Sequence, residues 1–268
     1  MTMTHAYKLA AAAVRRRYTD QRPETLRALR RLSKSDVAVL TGVHDSVQHV
    51  LSALGIPHTM DPKKLTQQVV FVNCAGGYDP KRGAALEAHA RAGGLVVSSD
   101  WALDTIARAF PGTVRRAPKA TKDEVVAVEA TQGSLWDEIV VLGADPQWWL
   151  EGSSYPVVIE DSDRVRVEAA SHEMLAQYDS PIVAVSFPWH AGAVFHLVSH
   201  FWLKRTRNVG GRYAGPAAEF MRTGLGLDEA AIAELTRGSA ADGVNFASLQ
   251  SAATSAELVA RLCAEGVH

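Results

Sequence analysis

The residues best suited to chemistry in this chain stand at the ends of apolar runs. "GGLVVSSDWALDTIARAF", Gly93 to Phe110, passes through a short apolar run into Ser98, Ser99, Asp100 and Trp101 before a helical pattern begins. A carboxylate at Asp100 has two uses there. It caps the helix starting at Trp101 by accepting free N–H groups, or it faces a cation, a sugar hydroxyl or a protein partner at a strand end. "VNCAGG" ends another apolar run and sets Cys74 before Gly76 and Gly77. A thiol so placed is either a nucleophile in a cleft or a small buried residue without chemistry. His190, His196 and His200 share "FPWHAGAVFHLVSH". Residues four apart on a strand point the same way, so His196, His200 and Asp100 together offer the donor types of a metal site. A histidine pair in an apolar strand is more commonly hydrogen-bonded core, so no metal and no cofactor is expected. His200, at the end of its strand, is the preferred functional histidine.

The elements that must position these residues follow from hydrophobic period. "DVAVLTG" is a buried strand ending at Gly42, and "HDSVQHVLSALG" carries Val47, Val50, Leu51 and Leu54 at helical spacing. "IPHTM" and "QQVVFVNCAGG" are further strands, "DPKRGAALEAHARAGG" is a helix, "LVVSSD" a strand and "WALDTIARAFPG" a helix stopped by Pro111. Continuous apolar strands alternating with helices spell a parallel sheet covered on both faces, because parallel pairing needs long crossovers. Such sheets take ligands at the carboxyl ends of their strands. Those ends are Gly42 to His44, Asn73 to Gly77 and Ser98 to Trp101. The expected ligand-binding set is therefore Gly42, His44, Asn73, Cys74, Gly76, Gly77 and Trp101, with His190 from the later hairpin; the expected reacting set is Asp100, His200 and Ser99.

Beyond Gly112, "DEVVAVEA" and "RVRVEA" read as strands, and "GSLWDEIVVLGADPQWWLEGSSYPVVIED" mixes a helix with one or two extended segments. Its Trp148, Trp149 and Tyr155 form either an exposed stacking surface or a plug over the cleft. "IVAVSF" and "AVFHLVSHF" form a hairpin joined by Pro188 to Gly192. Helices flank this core. Residues 5 to 32 give two, broken near Thr19, Asp20 and Pro23, with a basic run (Arg15, Arg16, Arg17, Arg22, Arg27, Arg30, Arg31) that is either a solvated face or a docking arm. "LDEAAIAELTRG" is capped by Asp228, and "TSAELVARLCAEG" starts from a Thr254–Glu257 capping box. Lys204, Arg205, Arg207 and Arg212 make a second basic cluster. The expected division is a helical N-terminal extension (1–34), an α/β domain (35–205) and a C-terminal helical extension (206–268).

The Gly42 turn, the "VNCAGG" turn, "AGGLVVSSDWALDTIARAF" and the "FPWHAGAVFHLVSH" hairpin together resemble the class I glutamine amidotransferase-like fold, a flavodoxin-like superfamily. Within it they look most like the divergent branches that include the trehalose-utilisation type proteins. The resemblance covers roughly residues 36 to 202. It implies an elbow of the form Gly-x-Cys-x-Gly, whose flanking positions fall on Ser98 and Ala102 and whose nucleophile position falls on Asp100. The cysteine is absent, and so is the late "H-x-E" stretch that supplies the other catalytic groups. A carboxylate is a far weaker nucleophile toward an amide than a thiolate. The resemblance therefore implies a non-glutaminase domain that binds a small polar ligand or a protein partner within a larger cytoplasmic assembly. A hydrolase of a small polar substrate using Asp100 and His200 is the alternative.

Composition fits this reading. Charged residues are 21% and the formal net charge is -1, so no global field draws the chain to nucleic acid or membrane. No P-loop, dinucleotide fingerprint or nucleic-acid motif is found. Two cysteines, Cys74 and Cys263, are too few for a disulfide framework and point to a reducing cytoplasm. No apolar run approaches the roughly 18 residues of a membrane helix, and no signal peptide is expected. A homo-oligomer is compatible with all of this.

Overall fold

The computed structural model describes residues 3–74, 78–137, 147–203, 215–238 and 240–266. In chain order the elements are α1 (Thr4–Gln21), α2 (Pro23–Arg31), β1 (Val37–Leu40), α3 (Val47–Leu54), β2 (Thr59–Met60), β3 (Val69–Val72), α4 (Pro80–Arg91), β4 (Leu95–Ser99), a 3-10 turn (Asp100–Ala102) and α5 (Leu103–Ala109). There follow β5 (Val114–Arg116), β6 (Glu124–Ala127), β7 (Glu129–Ala130), β8 (Gln147–Leu150), β9 (Val157–Ile159), β10 (Arg166–Ala170), α6 (His172–Tyr178), β11 (Ile182–Trp189), β12 (Gly192–Leu197), α7 (Ala217–Thr223), α8 (Glu229–Leu235) and α9 (Phe246–Glu265).

The fold is α/β around an eight-stranded sheet in the order β2-β1-β3-β4-β12-β11-β10-β7. β2, β1, β3, β4 and β12 run parallel, and β11, β10 and β7 continue antiparallel. All four residues of β1 and of β3 are buried, so both sheet faces are covered, as continuous Val-rich strands demand. Because β1, β3, β4 and β12 share a direction, Thr41, Asn73, Asp100 and Val198 all emerge at one edge. β5–β9 and β6–β8 form two small side sheets.

α9 buries most of its circumference, which only a helix surrounded by other elements can do. α1 packs along it and against α3. Part of the N-terminal basic run points inward: Arg17 is buried in an ion pair with Glu257 of α9. The Tyr7 hydroxyl donates to the Phe201 carbonyl at 2.9 Å and accepts from the Leu203 N–H at 2.9 Å, so α1 braces the chain just beyond β12. Among the described residues no helix is long and apolar enough to cross a membrane.

Several local expectations need correction. α9 begins at Phe246, eight residues before Thr254, with the box made by Asn245 and Ser248; Thr254 instead returns its hydroxyl to the Gln250 carbonyl at 2.9 Å. An Ala- and Ser-rich stretch hides a helix start because it lacks apolar periodicity. α6 was not anticipated, although Ser171 caps it by accepting from Met174 N–H. The hairpin turn is two residues, with Trp189 paired to Gly192 and His190 at φ 53°. Trp148 and Trp149 are buried on β8, and the Trp148 indole donates to the Val198 carbonyl at 2.7 Å, so they are a plug and not a stacking surface. The described residues Ser134 to Asp137 carry no helix. Gly76, Gly77 and the Lys204–Arg212 cluster lie outside the described residues.

Candidate functional site

The chain leaves β4 through a strained turn. Asp100 has φ 48°, in the left-handed region that Asp tolerates better than most non-glycine residues, and α5 starts three residues later. A strand that turns sharply into a helix lifts the turn residue's side chain above the sheet edge. Asp100 is not the helix cap: neither the 3-10 turn nor α5 receives a side-chain cap. Its Oδ2 lies 3.0 Å from His200 Nε2 and 3.5 Å from Cys74 Sγ. On the far side of the same ring, His200 Nδ1 lies 2.7 Å from Glu151 Oε2. Both carboxylates sit off the N–H directions of the ring, so these contacts are charge pairs and not aligned hydrogen bonds.

The cluster is enclosed. Asp100 and His200 are 5% and 4% exposed and Cys74 is fully buried, whereas the Glu151 side chain is 33% exposed and forms the outer wall. Burial opposes a charged ring at His200, but Asp100, Cys74 and Glu151 outweigh it and hold its pKa well above the ordinary histidine value. Burial pushes the Cys74 thiol up; contact with His200 opposes this and the Asp100 carboxylate adds to it. The resting arrangement is thus an imidazolium between two carboxylates beside an un-ionised thiol. Asp100 Oδ1 is buried and reached by no donor among the described residues.

Asp45 fixes this arrangement from behind. Buried at 2% exposure, it accepts from Ser99 Oγ (2.7 Å), Phe201 N–H (3.0 Å) and Trp202 N–H (3.0 Å). One carboxylate therefore ties the loop after β1 to the end of β4 and to the two residues following His200. Ser99 spends its hydroxyl on this bond. Asn73 is also committed, accepting from Val47 N–H at 3.0 Å and donating to Gln48 at 3.0 Å, which secures the start of α3. Gly42 is required by close approach: a Cβ there would lie 2.2 Å from the Cys74 carbonyl, which accepts from Val43 N–H at 3.0 Å. His44 is exposed and meets the Trp101 ring edge-on at 5.2 Å. The Trp101 indole donates to the Ser153 carbonyl at 2.7 Å, and Ser199 Oγ accepts from Glu151 N–H at 3.0 Å; together they hold the segment after β8 over the cluster.

Two expected members do not join. His190 sits at the amino end of β12, opposite the edge that bears Asp100, because Ala193 pairs with Leu95 and Leu197 with Ser99. At about 3.3 Å per residue, the six residues from Gly192 to the level of Asp100 alone span about 20 Å, and His190 lies beyond Gly192. His196 is buried against Ser98, with its Nδ1 2.9 Å from Ser98 Oγ, and burial drives its pKa down to about 4. The donors that converge are instead Cys74, Asp100 and His200, whose ligand atoms lie within 4.8 Å of one another. Sequence reasoning missed Asp45 and Glu151. Asp45 follows the Gly42 turn at a strand's carboxyl end, a position that marks ligand-side residues in such sheets. Glu151 comes from a side sheet and carries no such signal.

Several solved structures share part of this layout. A cold-adapted β-galactosidase from Rahnella sp. R3 matches at TM-score 0.42 and 13% identity over 62% of this chain, and this chain spans only 28% of that one. The structure of PurLQS from Thermotoga maritima matches at TM-score 0.47 and 15% identity, over 63% of this chain and 88% of that one. A glutamine amidotransferase from Thermotoga maritima matches at TM-score 0.43 and 9% identity, over 61% and 74%. No protein-family model and no curated protein matches the sequence.

Proposed function

We propose that the protein is a non-glutaminase domain of the amidotransferase-like type that binds a small polar ligand at the carboxyl edge of its sheet. The observation that carries this reading is Asp100 itself: the strained turn where an acyl-transfer enzyme would mount its nucleophile bears a carboxylate already paired with His200 at 3.0 Å. A Cys–His nucleophile needs a base free to take the thiol proton. His200 is held protonated between Asp100 and Glu151, and the Asp100 charge disfavours a thiolate at Cys74. The thiol beside the imidazole is therefore poorly set for attack on an amide. Hydrolysis by Asp100 and His200 is the second reading, favoured by their contact but opposed by Glu151, which sets a second carboxylate against the His200 ring and keeps it from acting as a base.

The test is incubation with L-glutamine and with a glutamine-analogue electrophile, read by glutamate release and by intact mass, alongside native mass spectrometry of the purified protein. The expected result is no glutamate, no adduct, and a bound small species that is lost in Asp100→Asn. Glutamate release, or a mass adduct on Cys74, overturns the proposal.

A further inference from the structure

We infer that Cys74, Asp100 and His200 form a binding site for a borderline-soft divalent metal ion of the zinc type, with Glu151 orienting the histidine from outside. The inference rests on the binding reading above and names its ligand class. Four features of the geometry converge on it.

The donor set is the first. One thiol, one imidazole and one carboxylate, all buried and within 4.8 Å of one another, are the ligand types that Zn²⁺ selects, and three protein ligands with one open position is its common functional stoichiometry. Spacing is the second. With ligand bonds of about 2.3 Å to sulfur and about 2.0 Å to nitrogen or oxygen, tetrahedral edges are about 3.5 Å for S···O and about 3.3 Å for N···O. The observed Sγ···Oδ2 and Nε2···Oδ2 separations are 3.5 and 3.0 Å, within a few tenths of an ångström of those two edges, and all three donor atoms lie within 4.8 Å of one another.

The outer contact is the third. A metal-bound histidine usually donates its remaining ring N–H to a carboxylate, which fixes the tautomer and strengthens the ligand. Glu151 stands 2.7 Å from His200 Nδ1, off the N–H direction but close enough to take that bond on a small turn of the ring, leaving Nε2 for the ion. Unspent polar capacity is the fourth. Among the described residues no donor reaches the buried Asp100 Oδ1, a costly condition that a cation would relieve.

Loading is a balanced exchange. The ion gains bonds to Cys74 Sγ, Asp100 Oδ and His200 Nε2, while the S–H and Nε2–H protons leave to solvent. Two protons depart for one dication, so the summed charge of Cys74, Asp100, His200, Glu151 and the ion equals that of the four residues before loading, and no redox step is involved. Asp45 lies behind the cluster and stays bound to the backbone N–H groups of Phe201 and Trp202.

The experiment uses the full chain, treated with chelator and desalted, then titrated with Co²⁺ as a spectroscopic stand-in and with Zn²⁺ by calorimetry. The expected result is one ion per chain with a thiolate-to-cobalt charge-transfer band. That band should be lost in Cys74→Ser, and affinity should fall about 10- to 100-fold in Glu151→Gln, the usual cost of removing an orienting partner. The wild-type titration decides independently of whether the variants fold: no stoichiometric uptake, or uptake without the sulfur band, overturns the inference. Binding retained at full strength in both Cys74→Ser and Glu151→Gln overturns it as well. Glutamine turnover would sink the binding reading while leaving the titration intact, so the two failures are distinguishable.

Discussion

Replacing Asp45 by alanine tests whether one buried carboxylate organises the site. Asp45 accepts from Ser99 Oγ, Phe201 N–H and Trp202 N–H at 2.7 to 3.0 Å, from two separate parts of the chain. Hydrogen bonds to a charged acceptor are the stronger kind, and a buried donor left unpaired costs about 1 to 3 kcal/mol. Phe201 and the Ser99 hydroxyl are buried and Trp202 is half-buried, so water replaces little of what is lost. The expected destabilisation of Asp45→Ala is therefore about 3 to 5 kcal/mol, a large share of the stability of an ordinary domain. Ser99→Ala removes one donor together with its bond and should cost about 1 to 2 kcal/mol. Urea unfolding followed by tryptophan fluorescence and by circular dichroism gives both values from the midpoints at constant slope. Because Phe201 and Trp202 directly follow His200, Asp45→Ala should also weaken Co²⁺ binding although Asp45 touches no metal. A loss below about 1 kcal/mol in Asp45→Ala would mean that the backbone of residues 199–203 holds itself, and the argument for Asp45 as organiser would fail.

Three further outcomes follow from named contacts. His200 has a raised folded pKa, so with metal removed by chelator its contribution to stability is complete below the ordinary histidine value near 6.5 and is lost as pH rises through the folded value; a denaturation series in pH should show that decline in the wild type and not in His200→Asn. Asn245→Ala should lower stability by about 1 kcal/mol through the α9 capping box, while Thr254→Ala changes it by a few tenths at most, and equal effects would contradict the observed helix start. Asp100→Asn removes the anion beside Cys74, so the thiol should ionise at lower pH and alkylate faster with iodoacetamide; buried Cys263 serves as the unreactive control, and an unchanged Cys74 rate would refute the assigned repulsion.

How far the sequence reaches is clearest at three positions. The strands β1, β3 and β4 are legible because buried parallel strands need uninterrupted apolar runs, and the turns after them because polar residues collect where such runs end. Cys74, Asp100 and His200 were each named on that basis, yet their meeting is not a local property. It depends on β12 pairing with β4 in the register that sets Leu197 beside Ser99, and on β3 pairing with β4 on the other side. A hairpin read from sequence fixes neither neighbour nor register. The same pairing removes His190, since the parallel direction of β12 sends its turn to the opposite edge. Glu151 is invisible for a different reason: it follows β8, which among the described residues pairs with β6 in a side sheet, so no rule about the central sheet applies to it.

At Asp100 the backbone decides between the two uses that its residue type and place allow. As an N-cap it would need extended backbone and a side chain turned toward the N–H groups of the next turn. At φ 48° the backbone turns left-handed instead, and the carboxylate is carried toward β3 and the segment after β12, where a thiol and an imidazole wait. The strain of that turn is worth holding only if surrounding contacts over-determine it, and the His200 pair and the Asp45 clamp on Ser99 do so. A helix start needs none of this. The arrangement is what a site for a cation requires: an anionic oxygen and a sulfur held rigidly before anything binds, with the histidine proton standing where the ion would go.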